Sequence, residues 1–333
     1  MEKRKSYYDQ DADTSCLEGK TIAVIGYGAQ GRAQARMMHE SGLQVVVGVR
    51  ENGASWKQVQ EDGLQVATIS EATRQADIVH ILIPDECQKE VYESEIEPNL
   101  KAEATLSFSH GFNVVYGYIT PKPGMGLIMV APKSPGTEEY KRYKEGFGVP
   151  ALFSVQQENT AGTARAIALA MCKAMFFTKA GVIECTFKEE AFEDLFGEQA
   201  VLCGGLTALM KAGFEVLVEG GYPPELAYFE CVHEMKLIVD LVYEGGMARM
   251  WEVVSNTAEY GGQTVGSRII TPAVKEEMRK VLTEVEDGTF ARKWMDEART
   301  AKMKNLLEMR RKESEHGIEI VGEQIRSMFN KSA

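Results

Sequence analysis

Hydrophobic positions follow two regimes along the chain. Through residue 183, short runs rich in β-branched residues alternate with stretches of helical period; beyond it the period is almost wholly helical. Runs at 20–25, 44–49, 66–69, 77–84, 105–109, 127–130, 149–155 and 181–185 predict strands. Helical period continues from the first strand's turn to Glu40, from a Ser70 N-cap to Ala76, over 93–100 and over 160–175. This alternation predicts an α/β fold with a doubly wound sheet, followed by an all-helical domain. The domains are drawn as 1–183 and 184–329. In the second, Pro223-Pro224 opens a helix, 255–262 is a polar, glycine-ended break, and 271–285, 291–315 and 318–329 are amphipathic helices.

The first strand runs straight into Gly26-Tyr27-Gly28-Ala29-Gln30-Gly31, then a helix, then a second strand. In that setting GxGxxG reads as a Rossmann-type dinucleotide site, with the phosphates at the helix N-terminus. Such sites for NAD place an acidic residue after the second strand; here Arg50 stands there, with Ser55 able to donate to a 2′-phosphate and Glu51 opposing it. The balance favours NADPH, with NADH the alternative, and leaves open that Arg50 is a solvated loop cation. Asp85-Glu86 follow the strand at 77–84, where a cofactor-facing loop belongs.

Two carboxylate pairs, Asp194 with Glu198 and Glu230 with Glu234, are each spaced four apart. Each continues into an apolar stripe: Val201, Leu202, Gly205, Ala208 and Leu209 for the first, Ala227, Leu237, Ile238 and Leu241 for the second. Carboxylates on the core-facing side of helices repel one another and lose hydration, which calls for cations, protons or an aqueous cleft; hard divalent metal such as Mg2+ is the simplest answer. The alternative is a solvated acidic face, the reading given to Glu189, Glu190 and Glu193. His110 and Lys133 follow strands at the sheet end where ligands bind, although a lone His or Lys is more often structural. Ser255 either binds a substrate carboxylate or caps a helix.

The net charge of −12 in 333 residues argues against nucleic-acid or anionic-membrane partners. The six cysteines form no CxxC pair and read as reduced thiols, which with the absence of an h-region or a spanning apolar run predicts a cytoplasmic protein. Apolar stripes this long predict burial against a second copy.

Taken together, these residues closely resemble ketol-acid reductoisomerase in its short, class I form. The resemblance runs through GYGAQG, Pro84-Asp85-Glu86-Cys87-Gln88, Ser109-His110-Gly111-Phe112-Asn113, Val130-Ala131-Pro132-Lys133, Asp194-Leu195-Phe196-Gly197-Glu198-Gln199, Phe229-Glu230-Cys231-Val232-His233-Glu234 and Ser255-Asn256-Thr257-Ala258-Glu259. It implies Mg2+-dependent alkyl migration in 2-acetolactate or 2-aceto-2-hydroxybutyrate, then reduction by NADPH to the 2,3-dihydroxy-3-alkyl acid of branched-chain amino-acid biosynthesis. It implies two Mg2+ on Asp194 and Glu198 of one subunit and Glu230 and Glu234 of its partner, in a knotted helical domain that forms a homodimer or higher homo-oligomer with shared sites. It further implies that His110 is the active-site histidine, proton-transfer roles for Lys133 and Glu234, carboxylate binding by Ser255, and a cofactor lining of Gly26, Tyr27, Gly28, Ala29, Gln30, Gly31, Arg50, Ser55, Asp85, Glu86, Cys87, Gln88 and Gly136. Departures gather at the nucleotide end: Ala29 for the usual Ser, Arg32 for His, Gly53 for a phosphate-binding Ser, and Ala54 where Lys is frequent. Rival readings are a metal-independent β-hydroxyacid dehydrogenase and a non-catalytic nucleotide sensor on the same fold.

Overall fold

In the computed structural model, which describes residues 4–329, the β-branched runs pair into one sheet. The first three residues of the expected N-terminal domain lie outside that range. The strands are β1 Ser6–Tyr7, β2 Thr21–Ile25, β3 Gln44–Gly48, β4 Gln65–Ala67, β5 Ile78–Ile81, β6 Thr105–Phe108, β7 Gly126–Pro132, β8 Ala151–Gln157 and β9 Val182–Glu184. Their order is β1-β9-β8-β7-β6-β5-β2-β3-β4. From β4 to β7 every pairing is parallel, with β2 flanked by β3 and β5; that is the point where the winding reverses and where such sheets bind ligands. The antiparallel edge strand β1 is two residues long and carries no period a sequence could reveal.

The crossovers are α1 Ala29–Glu40, α2 Ala54–Glu61, α3 Ile69–Gln75, α4 Asp85–Val91, α5 Phe112–Val115, α6 Gly136–Lys144, α7 Ala164–Ala174 and α8 Phe177–Ala180. One face of the sheet is covered through Met37, Met38, Ile167 and Met171, the other through Tyr92, Ile96, Ile119 and Phe187. Two expectations shift locally. Helix α3 starts before Ser70, because Thr68 and Glu71 form a reciprocal cap, Glu71 N–H donating to Thr68 Oγ1 at 3.3 Å. Asp85 and Glu86, expected in a loop, form the first turn of α4.

The chain divides into two compact units, Met1–Glu193 and Asp194–Ala333, within helix α9 Phe187–Gly197. The second unit holds α10 Gly204–Glu219, α11 Pro224–Tyr228, α12 Glu234–Val253, α13 Asn256–Ile269, α14 Pro272–Glu286, α15 Thr289–Arg299, α16 Lys304–Ser314 and α17 Gly317–Phe329. No strand follows β9 among the described residues. A small core of Phe214, Ala227, Tyr228, Ile318 and Ile325 holds α10, α11 and α17 together. The polar stretch at 255–262 is not a break but the start of α13, and the run at 291–315 is two helices, parted where Lys302 and Met303 take left-handed φ of 49° and 61°.

Periodicity alone missed two wide turns of π-helix, Glu198–Leu202 and Phe229–His233, each placed at a carboxylate pair. The apolar stripes beside those pairs also differ from expectation. They were expected to face a core, but within the chain Val201 is 50% exposed, Leu209 46%, Leu237 55% and Ile238 37%. The pattern reports an apolar face; it does not report which chain covers it. The continuous helical run Phe187–Glu219 is even long and apolar enough, by length and composition alone, to cross a membrane, which the segmented sequence pattern had not suggested.

Candidate functional site

The C-terminal ends of β2, β3, β5 and β6 open on a cleft of ≈ 670 Å³ in the first unit. Its floor is the glycine-rich turn. Gly26 has φ +104°, and a Cβ there would sit 2.8 Å from the Leu82 carbonyl oxygen, so no side chain fits between β2 and β5. Gly28 caps α1, whose first-turn N–H groups face the place where a pyrophosphate belongs.

Of the residues singled out in the sequence, Gly26, Tyr27, Gly28, Gln30, Arg50, Ser55, Asp85, Cys87, Gln88 and His110 line this cleft. Ala29 and Gly136 line a neighbouring cavity of ≈ 430 Å³, where the two backbones touch. Gly31 is buried in the first turn of α1, and Glu86 lies on α4 away from the cleft lining.

At the β3 end of the cleft, Arg50 is exposed and Ser55 lies in the first turn of α2, behind a turn in which Asn52 has φ +56°. Sequence reasoning missed the residue that holds this end together. Asp62, at the C-cap of α2, accepts from the Tyr27 hydroxyl at 2.7 Å and from Arg32 Nε and a terminal guanidinium nitrogen at 2.7 and 2.9 Å. The Arg32 hydrogen bonds hold the Asp62 carboxyl below its ordinary range. Arg32, a departure from the resembled pattern, thus ties α1 to the end of α2. Asp85 takes hydrogen bonds from Gln88 and Asn113, and burial pushes its carboxyl up to about 6.

At the opposite end, His110 follows β6 and Lys133 follows β7 directly. Both converge on Glu190, in the first turn of α9. Glu190 accepts from His110 Nδ1 at 3.1 Å, from Gly111 N–H at 2.8 Å and from Lys133 Nζ at 3.4 Å. Lys133 also pairs with Glu193 at 2.7 Å. This corrects the solvated reading of Glu190: at 1% exposure it is a buried carboxylate surrounded by donors. Glu189 and Glu193 do face solvent, Glu189 beside Arg4. Glu190 lies four residues before Asp194, so a helical count from the assigned pair could have found it.

The four candidate ligands all lie in the second unit. Asp194 is half-buried on α9, Glu198 is exposed at the head of the first π turn, Glu230 is exposed within the second, and Glu234 is exposed at the start of α12. No three of them converge among the described residues. The donor set is nonetheless four carboxylates, hard oxygen ligands of the kind Mg2+ takes. Ser255 is the N-cap of α13, its hydroxyl accepting from Ala258 N–H at 3.2 Å.

Comparison with known proteins gives this arrangement a family. Residues 16–181 match the family model described as acetohydroxy acid isomeroreductase, NADPH-binding domain, and residues 187–331 match ketol-acid reductoisomerase, C-terminal domain. A ketol-acid reductoisomerase (NAD(+)) from uncultured archaeon GZfos26G2 is 57% identical over 327 residues, covering 97% of this chain and 98% of its own. A ketol-acid reductoisomerase (NADP(+)) from Methanocaldococcus jannaschii is 55% identical over 324 residues, with 97% and 98% coverage. The solved structure of an NADH-preferring ketol-acid reductoisomerase from an uncultured archaeon superposes with a TM-score of 0.95 at 56% identity, over 98% of this chain and 100% of that one. With both halves matched in order and relatives aligned nearly end to end, this chain belongs to the ketol-acid reductoisomerase family.

Proposed function

We propose that this protein converts a 2-acetohydroxy acid, such as 2-acetolactate, to the 2,3-dihydroxy-3-alkyl acid by alkyl migration followed by hydride transfer. The observation that carries the reading is the Glu190–His110–Lys133 cluster at the far end of a dinucleotide cleft. With the adenosine end at Arg50 and Ser55 and the pyrophosphate over Gly28, the nicotinamide reaches towards Ser109 and His110.

Asp194, Glu198, Glu230 and Glu234 are the proposed holders of two Mg2+ ions, which when bound supply Lewis acidity for the substrate's hydroxyl and carbonyl oxygens. The chain's own residues do the rest. Glu190 fixes the His110 ring and the Lys133 ammonium in one geometry, and Lys133 supplies a proton to the ketone oxygen as the hydride adds to the ketone carbon. Glu234 receives the proton released by the tertiary hydroxyl. Ser255 offers its hydroxyl hydrogen to the substrate carboxylate while its oxygen continues to cap α13.

The four carboxylates do not converge in a single chain, and the helices that carry them expose Val201, Leu202, Leu237 and Tyr243, so a second copy covers these faces and completes the site. The protein acts in the cytoplasm on a small molecule. Arg50 and Ser55 favour NADPH and Glu51 opposes it, so discrimination between the two dinucleotides is small. This agrees with relatives of similar identity that are named for NAD(+) and for NADP(+).

The test is oxidation of NADPH and of NADH with 2-acetolactate, with and without Mg2+. Mg2+-dependent turnover with both dinucleotides, their kcat/KM values within about tenfold, is expected. Turnover that survives removal of Mg2+ would point instead to a simple dehydrogenase.

A further inference from the structure

Helix α6 packs on α1 immediately behind the glycine-rich turn. At its first residue the approach is as close as backbone permits: a Cβ on Gly136 would lie 2.5 Å from the Ala29 carbonyl and 2.6 Å from the Gln30 nitrogen. One turn further along α6 sits Glu139. It is 1% exposed, and neither carboxylate oxygen has a hydrogen-bond partner among the described residues. A buried carboxylate without donors is far costlier than a buried carboxylic acid.

We propose that Glu139 is an alkaline sensor of the dinucleotide site: as a neutral acid it lets α6 close on the glycine-rich turn, and its ionisation forces α6 from α1 and loosens the grip on the cofactor.

The surrounding groups leave Glu139 without a counter-charge. From α1 the polar side chain that acts on it is Gln34, an amide. Gln34 in turn takes a hydrogen bond at 2.7 Å from His80 Nε2 on β5, and its amide lies 3.4 Å from the Ser109 hydroxyl. His80 is fully buried, which pushes its pKa down to about 4, so it is uncharged throughout the neutral and alkaline range. The other charges on these elements are engaged elsewhere. Arg32 is held by Asp62, Arg36 lies over the Tyr140 ring, and Glu40 takes Tyr140 and Lys144. On α6 itself, Lys141 and Arg142 pair with Glu138, Arg142 also with Glu145, and the Tyr143 hydroxyl meets Ser41. Lys133, upstream of α6, is on Glu190 and Glu193. Burial pushes the Glu139 carboxyl up to about 8, into the range where a modest rise in pH ionises it.

Once ionised, Glu139 has two ways to regain hydration: water enters between α1 and α6, or the helices part. Either displaces Gly136 from Ala29 and Gln30, and so moves the turn under the pyrophosphate. Bound dinucleotide opposes that movement, so it raises the pKa of Glu139, and by linkage the ionised acid weakens dinucleotide binding.

This inference rests on dinucleotide binding at the glycine-rich turn. The experiment is a fluorescence titration of the substrate-free protein with NADH and with NADPH at pH 7 and pH 9.5, for wild type, Glu139→Gln and Glu139→Leu. The wild-type Kd is expected to rise about tenfold between the two pH values, the equivalent of a one-unit difference in pKa between free and bound protein. Both variants are expected to change less than about twofold over the same interval. The infrared carbonyl band of a protonated acid should be present in wild type at pH 7, fade above pH 8 and be missing from Glu139→Leu. This readout needs only wild type and one variant should the other fail to fold. Equal alkaline slopes in all three proteins, or a Glu139 already ionised at pH 7, would overturn the sensor alone. Wild type that binds neither dinucleotide at pH 7 would overturn the dinucleotide reading and the sensor with it.

Discussion

Replacing Glu190 by Gln tests the centre of the site with a change of one atom. The carboxylate is buried and accepts three donors: Gly111 N–H at 2.8 Å, His110 Nδ1 at 3.1 Å and Lys133 Nζ at 3.4 Å. Oxygen Oε2 serves Gly111 and the shorter His110 contact, so the amide carbonyl of Gln takes that position and its NH2 turns towards Lys133. Two donors then face each other, and the charge that stabilised the Lys133 ammonium is gone. A hydrogen bond to a charged group contributes about 1.5–3 kcal/mol. Lys133 keeps Glu193, a half-exposed partner at 2.7 Å, which recovers part of that. The net expectation is a loss of about 2 kcal/mol in urea denaturation at pH 7. Glu190→Ala, which also strands the Gly111 N–H in a buried place, should cost about 4 kcal/mol. Because Lys133 and His110 lose their common anchor, kcat for 2-acetolactate should fall about 30- to 300-fold while the dinucleotide Kd, set at the far end of the cleft, stays within about twofold. Glu190→Gln with wild-type stability and wild-type kcat would refute the argument that this carboxylate organises the site.

Other outcomes follow from the same geometry. Glu230→Gln removes one ligand charge from an exposed side chain, so Mg2+-dependent isomerisation should drop by at least about 100-fold with Tm and NADPH affinity nearly unchanged; calorimetric titration with each checks this. Asp62→Ala frees both Tyr27 and Arg32, and since Arg32 is partly solvated the loss is about 1 kcal/mol, read as roughly fivefold weaker binding of NADH and NADPH alike. Asp85 has its carboxyl raised from 3.8 to about 6, so its contribution to stability is complete below pH 3.8 and lost as the pH rises through about 6. Urea melts of Asp85→Asn should therefore lack the part of the wild-type decline between those values, and an unchanged slope would remove Asp85 as its source.

Much of the first unit was legible because strand and helix differ in period. The β-branched runs became β2 to β9 within a few residues, and a glycine motif set between a strand and a helix points to a nucleotide turn. What escaped was whatever depends on a partner distant in sequence. The two-residue β1 exists only because β9 offers it an edge. Glu190 looked like its exposed neighbours Glu189 and Glu193, since three adjacent acids carry no sign of which one lies under Gly111 and Lys133. Likewise the π turns at Glu198 and Glu230 rest on single inserted hydrogen-bond steps, which leave the four-residue spacing unchanged on paper.

The sequence by itself determined the two-part architecture, the nucleotide turn and the family, because local period and short motifs are properties of neighbouring residues. The tertiary structure decided which carboxylate is buried, that Ser255 caps α13, and that the stripes carrying Asp194, Glu198, Glu230 and Glu234 stay exposed in one chain. It also decided that Glu139 is buried behind the glycine-rich turn with no hydrogen-bond partner among the described residues. These are matters of which distant groups share a space, and burial and charge are set by that shared space rather than by the residue's own identity.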